Sequence, residues 1–186
     1  MNDTYINIVI AAAVGSIFTL LVQVGITYAR NYRIKKAFNS FLEGTIKVTC
    51  DKIKTEIVSV RKEISTYTFN DVSLGMHPNL NSGVLKSFTI DKLYSVYGKK
   101  VNVIIDIISI LDNLEQRKPY MYFNDFVDTS QKHIMGSTKE EKAIYKTDEQ
   151  HFLRCAHIET LRRRTNLNLD HINVIIDDLY SNISEL

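Results

Sequence analysis

Basic and histidine side chains gather between residues 154 and 171 of this 186-residue chain. Arg154, His157, Arg162, Arg163 and Arg164 share the end of one predicted helix, and Lys99-Lys100 open another. Guanidinium groups near Asn and Tyr side chains can hold phosphates while bases are read and stacked. Two other readings of the same residues stay open. Basic residues near a helix C-terminus complement its dipole, and a basic face can simply be solvated or can meet anionic lipid headgroups. His151 and Cys155 stand four apart, at metal-ligand spacing, but His157 points away and two ligands do not make a zinc site. Cys155 with a histidine has no orienting third group nearby, so a nucleophilic dyad is not expected either. GxxxxGK[ST], GxGxxG, HExxH, paired CxxC and GxSxG are all absent. The expectation is a chain that is not an enzyme and carries no metal and no cofactor.

Composition narrows the ligand. Twenty-three Lys/Arg against twenty-one Asp/Glu leave a formal net charge of +2, which argues against a protein that coats polyanions. Local arginine with modest net charge suits a small anion better than a long nucleic acid. At 45% hydrophobic and 24% charged, with seven Gly and two Pro, the chain is neither disordered nor collagen-like. Two cysteines, Cys50 and Cys155, exclude a disulfide-stapled scaffold.

The charges are unevenly placed. Residues 4–29 carry none, and as a helix they reach ~39 Å against a hydrocarbon core of ~30 Å. A cleavable signal peptide needs a positive n-region and a shorter apolar core, whereas only Asn2 and Asp3 precede this run. The expectation is one retained membrane span at 4–29 with a basic collar at 30–36, where Arg30, Arg33, Lys35 and Lys36 follow it. The positive-inside rule places the N-terminus outside and residues 30–186, collar included, in the cytoplasm beneath the cell (inner) membrane. Both cysteines would then be thiols. Tyr5, Tyr28 and Tyr32 suit the interfacial belts. Ala12, Ser16, Thr19, Gln23 and Thr27 fall within an arc of about 80° on the helix, and Ala11 with Gly15 adds small-xxx-small spacing. Such a stripe fits helix–helix association in lipid or, in an oligomer, a water path.

The rest reads as helical. Leu42, Ile46, Thr49, Ile53, Ile57, Val60, Ile64 and Tyr67 recur by threes and fours, predicting a connecting helix over 37–67 with a break near Gly44. Residues 69–90, with His77-Pro78, read as a loop holding a short strand at 86–90. The stretch 91–115 reads as one buried helix whose polar residues Asn102, Asp106, Ser109 and Asn113 lie on a narrow stripe. Pro119 ends it, and Tyr120, Tyr122, Phe123 and Phe126 follow as core or interface aromatics. Thr138 to Glu141 forms a capping box that starts a helix over 139–164, and Asn166 and Asn168 break it before a last helix over 170–183. The fold class is mainly α: one N-terminal transmembrane helix and a small helical cytosolic domain.

Arg164 and His171, six residues apart, resemble the Arg-x4–6-His signature of HEPN ribonucleases, in which both residues act on a phosphodiester. The order of parts over the full length (uncharged run 4–29, collar 30–36, helical domain beyond) resembles the small membrane-bound accessory effectors of type III CRISPR systems. That resemblance implies an antiviral defence effector that binds cyclic tetra-adenylate, assembles as a tetramer and perturbs the membrane when the messenger arrives. It would put the messenger against the basic residues above and the polar stripes of several subunits together in the bilayer. A membrane adaptor or scaffold that recruits a protein partner is the non-catalytic alternative.

Overall fold

The computed structural model describes residues 2–67, 80, 83–147 and 155–186. Every regular element among them is helical: α1 (Asn2–Phe41), a π-helical segment (Leu42–Lys47), α2 (Val48–Thr66), α3 (Gly83–Lys86), α4 (Ile90–Tyr97), α5 (Val101–Gln116), α6 (Pro119–Gly136), α7 (Lys139–Thr147) and α8 (Ala156–Ser184). The part of the expected loop at 68–79 and 81–82 lies outside the described residues.

α1, the π segment and α2 make a single rod. From Ile10 to Thr66 it is one helix of 57 residues, ~85 Å long. Its first half is long and apolar enough to cross a membrane, and residues 10–30 are exposed throughout, with Phe18 68% accessible. Water does not tolerate so large a continuous apolar surface on a solitary protein. The second half is buried along one face through Phe38, Leu42, Ile46, Cys50, Ile53, Ile57, Val60 and Ile64. From Phe38 to Cys50 this face advances by fours, and in an α-helix each such step drifts ~40°. The wider π turn absorbs the drift and keeps Leu42 and Ile46 on the buried side. The expected break near Gly44 is therefore a change of helix type, and 37–67 forms a wall of the core as well as a connection.

α8 packs against α5, α6 and α2, while α2 also meets α6. The α2–α8 pair is antiparallel: Lys54 Nζ meets Asp177 Oδ1 at 2.7 Å, Arg61 pairs with Asp170, and the Tyr180 hydroxyl donates to Asp51 Oδ1 at 2.7 Å. Tyr67 lies edge-on to Phe123 and Phe126, so these two aromatics are core, as expected.

Four expected boundaries are corrected. No strand forms at 86–90; Ser87 and Phe88 donate to Val84 and Leu85 in a turn after α3. The helix over 91–115 is split by Gly98, whose φ of +57° closes α4, a conformation that costs a side-chain-bearing residue more than Gly. The capping box is present, with Glu141 N–H donating to Thr138 Oγ1 and Thr138 N–H to Glu141 Oε2, but no single helix runs over 139–164, because Cys155 is the non-helical N-cap at which α8 starts. Asn166 and Asn168 do not break the chain, because Thr165 and Leu169 are buried on the same helix and packing overrides their weak propensity.

Burial sets the two thiols apart. Cys50 is fully buried, and desolvation pushes its pKa up to about 12, while Cys155 is half-buried. We expect a thiol reagent to label Cys155 at least ~1,000-fold faster than Cys50, whose reaction must wait for opening of the bundle. Equal rates would show that the core is loose. Tyr97 is also raised to about 12, by burial. Raised pKa values make these two groups stabilising below pH ~9–10, with that contribution lost as pH climbs toward 12.

Candidate functional site

The basic residues singled out by sequence occupy two places. His157, Arg162, Arg163 and Arg164 lie in the first third of α8, not at its C-terminus, which removes the dipole-complement reading for them. Arg154 and His151 lie outside the described residues. Lys99 and Lys100 sit in the 3-10 turn before α5, where Lys100 Nζ donates to the Glu185 carbonyl at 2.7 Å. Twenty-two residues of helix and cap separate Arg163 from Glu185, ~33 Å, so within one chain the lysines and the arginines do not share a site.

The arginine end is the far end of the bundle. Because α8 is antiparallel to α2, Arg164 lies near the level of Tyr67, ~55 Å along the rod from Arg30. A screening length of ~8 Å leaves nothing of a headgroup's charge at that distance, so the lipid reading of these arginines is dropped as well. Two readings remain for these residues, a solvated basic face and a phosphate-binding one.

The geometry of the face is simple. Arg162 is held by Glu159 of the same helix. Arg163 and Arg164 are exposed and have no ion-pair partner among the described residues. His157, Arg164 and His171 recur every seven residues on an unbroken helix, so they form one stripe with ~10 Å between members. At one end of the stripe His157 stacks on His133 of α6, ring centroids 4.4 Å apart, and Cys155 Sγ stands 3.7 Å from His133 Nε2. Sequence spacing gave no hint of His133, which joins this group only because α6 packs on α8. No group of three or more His, Cys, Asp or Glu among the described residues is arranged to hold a metal ion. Chemically the stripe presents guanidinium and imidazole groups that can donate hydrogen bonds.

On the rod, Ala12, Ser16, Thr19, Gln23 and Thr27 are all exposed. Ser16 Oγ donates to the Ala12 carbonyl at 2.8 Å and Thr19 Oγ1 to Gly15 at 2.9 Å. Their hydroxyls are thus satisfied internally, which leaves Gln23 as the stripe's most costly group in lipid.

In comparisons with known proteins no family model matches the chain, no curated protein matches it, and no solved structure matches it. What the fold and site define is a class: a helical bundle built on a helix long and apolar enough to cross a membrane.

Proposed function

We propose that this protein is a single-pass membrane effector whose cytosolic bundle receives a small phosphorylated ligand on α8 and transmits its occupancy to the bilayer. The supporting observation is continuity. The helix that would span the membrane is the helix that walls the core, with no flexible segment between them. A tethered enzyme or an adaptor needs only a leash, whereas a transducer needs a stiff element whose packing has two arrangements. The ligand class follows from the resemblance: a cyclic oligoadenylate, cyclic tetra-adenylate first, bound by His157, Arg162, Arg163 and Arg164 with Arg154. A homotetramer would gather four such faces, and four polar stripes, around one axis.

The test is thermal unfolding of the full chain in lipid nanodiscs against cyclic oligoadenylates of different ring size. Ligand at about 100 times its Kd adds about 2.7 kcal/mol, roughly 5–10 °C for a chain of this length. The double variant Arg163→Glu with Arg164→Glu should erase the shift and keep the ligand-free midpoint, because both side chains are exposed. No shift with any ring moves the adaptor to first place. A second reading draws on the unbroken α8, which sets Arg164 and His171 on one face. RNA cleavage that disappears in His171→Ala would make the chain a HEPN-like ribonuclease instead.

A further inference from the structure

Tyr28, Asn31, Tyr32 and Lys35 recur at three- and four-residue spacing and so form one stripe of α1, ~10 Å tall. Ser95 and Val96 of α4 face that stripe, and the two walls enclose a groove of about 490 Å³. The walls are tied together. Asn31 Nδ2 donates to the Ser95 carbonyl at 3.2 Å, and the Tyr97 hydroxyl donates to Asn39 Oδ1 at 2.6 Å. Below them the Phe38 ring meets Phe88 and Tyr97 edge-on.

The groove's height along the rod is informative. It begins at Tyr28, inside the uncharged run, and ends at Lys35, inside the basic collar. A bilayer's interfacial layer is ~5–8 Å thick on each side of its core, so a groove at this position spans it. Lys35 lines it; Arg30, Arg33 and Lys36 are its neighbours in the collar, and α4 with the turn that follows carries Lys92 and Lys99. Asp91 is the only acid in residues 28–41 or 90–100. Lys35 Nζ lies 5.6 Å from the Tyr97 ring centroid, and no carboxylate pairs with it among the described residues. α4 also exposes Ile90 (62%) and Tyr94 (60%) one turn apart, an apolar edge on the same short helix.

We propose that this groove holds the phosphate-bearing headgroup of an anionic lipid between α1 and α4. Lys35 meets the phosphate. Tyr28 and Tyr32 flank the glycerol region, as aromatic side chains do at membrane interfaces. A soluble phosphate would satisfy Lys35 but would leave the tyrosines and the apolar edge of α4 without a partner, and so the occupant is a lipid. The site lies at the opposite end of the bundle from the arginine face. It rests on the membrane span and not on the messenger.

The experiment compares full-length protein in phosphatidylcholine vesicles with the same protein in phosphatidylcholine doped with phosphatidylglycerol. Flotation reports insertion, thermal unfolding reports stability, and native mass spectrometry after detergent extraction reports retained lipid. Wild type should float with both vesicles, unfold several degrees higher with phosphatidylglycerol, and retain that lipid. Lys35→Gln should retain roughly tenfold less, as loss of one charge-assisted bond implies. Arg33→Gln, a collar charge outside the groove, should retain nearly the wild-type amount, and Lys35→Arg should restore it. Equal losses in Lys35→Gln and Arg33→Gln would reduce the effect to general collar attraction and overturn the site. Inorganic phosphate added to plain phosphatidylcholine vesicles should give no shift; a full shift would overturn the lipid as occupant. A chain that floats with both vesicles but shows no lipid dependence overturns the groove alone. A chain that floats with neither overturns the span and the groove together.

Discussion

Phe38→Ala lowers the unfolding midpoint of the helical bundle by roughly 6–20 °C. Phe38 is wholly buried, with the rings of Phe88 and Tyr97 at 5.4 and 5.6 Å. Truncating a buried Phe to Ala costs ~3–5 kcal/mol, and each kcal/mol moves a domain of this size by ~2–4 °C. The location makes the upper half of that range the expectation. Among the described residues α4 leans chiefly on α1, α5 and the intervening turn, and Phe38 is the fully buried side chain through which the rod packs on it. Removing it also frees Tyr97, whose hydroxyl holds Asn39. Phe38→Leu, which fills most of the volume, should cost less than half as much. Circular dichroism of the full chain in nanodiscs reads both. A drop of a degree or two in Phe38→Ala would mean that α4 is not docked on the rod, and the groove beside it would go too.

Much of this fold is legible in the sequence because burial follows helical periodicity. Leu42, Ile46, Ile53, Ile57, Val60 and Ile64 are marked by spacing alone, and all are buried. The uncharged run 4–29 is equally plain. The continuity of the rod is less so. Gly44 reads as a break, whereas the chain passes through it as a π turn held by packing of Leu42 and Ile46. Asn166 and Asn168 misled for a related reason: propensity is local, whereas α8 is held by Ile158, Leu169, Ile172 and Ile176 against three other helices. The candidate site was half readable. Arg162, Arg163 and Arg164 announce themselves as a run, but Lys99-Lys100 cannot be told apart from that run until topology places Lys100 on the C-terminal carbonyls. His133 and Cys155 lie 22 residues apart, and the groove joins Asn31 to Ser95 across 64. No pattern within a window reports such pairs, since tertiary packing alone brings them together.

A flexible Gly-Ser-Gly-Ser insert between Arg30 and Asn31 should abolish ligand-dependent membrane output while leaving ligand binding intact. The position is chosen from the contacts. The first side-chain hydrogen bond from the rod to the bundle is that of Asn31 to Ser95, and the uncharged run ends at Ala29, so the insert keeps the span and the packed core whole and separates only Tyr28 from the rest of the groove. What it removes is stiffness: a helix carries a rotation or tilt along its length, whereas a Gly-Ser segment behaves as a random coil and passes on only tension. A ligand shifts an equilibrium only through states whose energies differ with occupancy. Once the span no longer senses which arrangement the bundle holds, the output collapses to its ligand-free level. Thermal shift by cyclic oligoadenylate should match the parent chain, and vesicle leakage should no longer respond to it. An adaptor or a tethered ribonuclease would be indifferent to the insert, because recruitment and cleavage need proximity to the membrane but not registration with it. Retained leakage in the insert variant would therefore break the link between the continuous helix and the proposed mechanism, and would leave the bundle as a domain that the membrane helix merely localises.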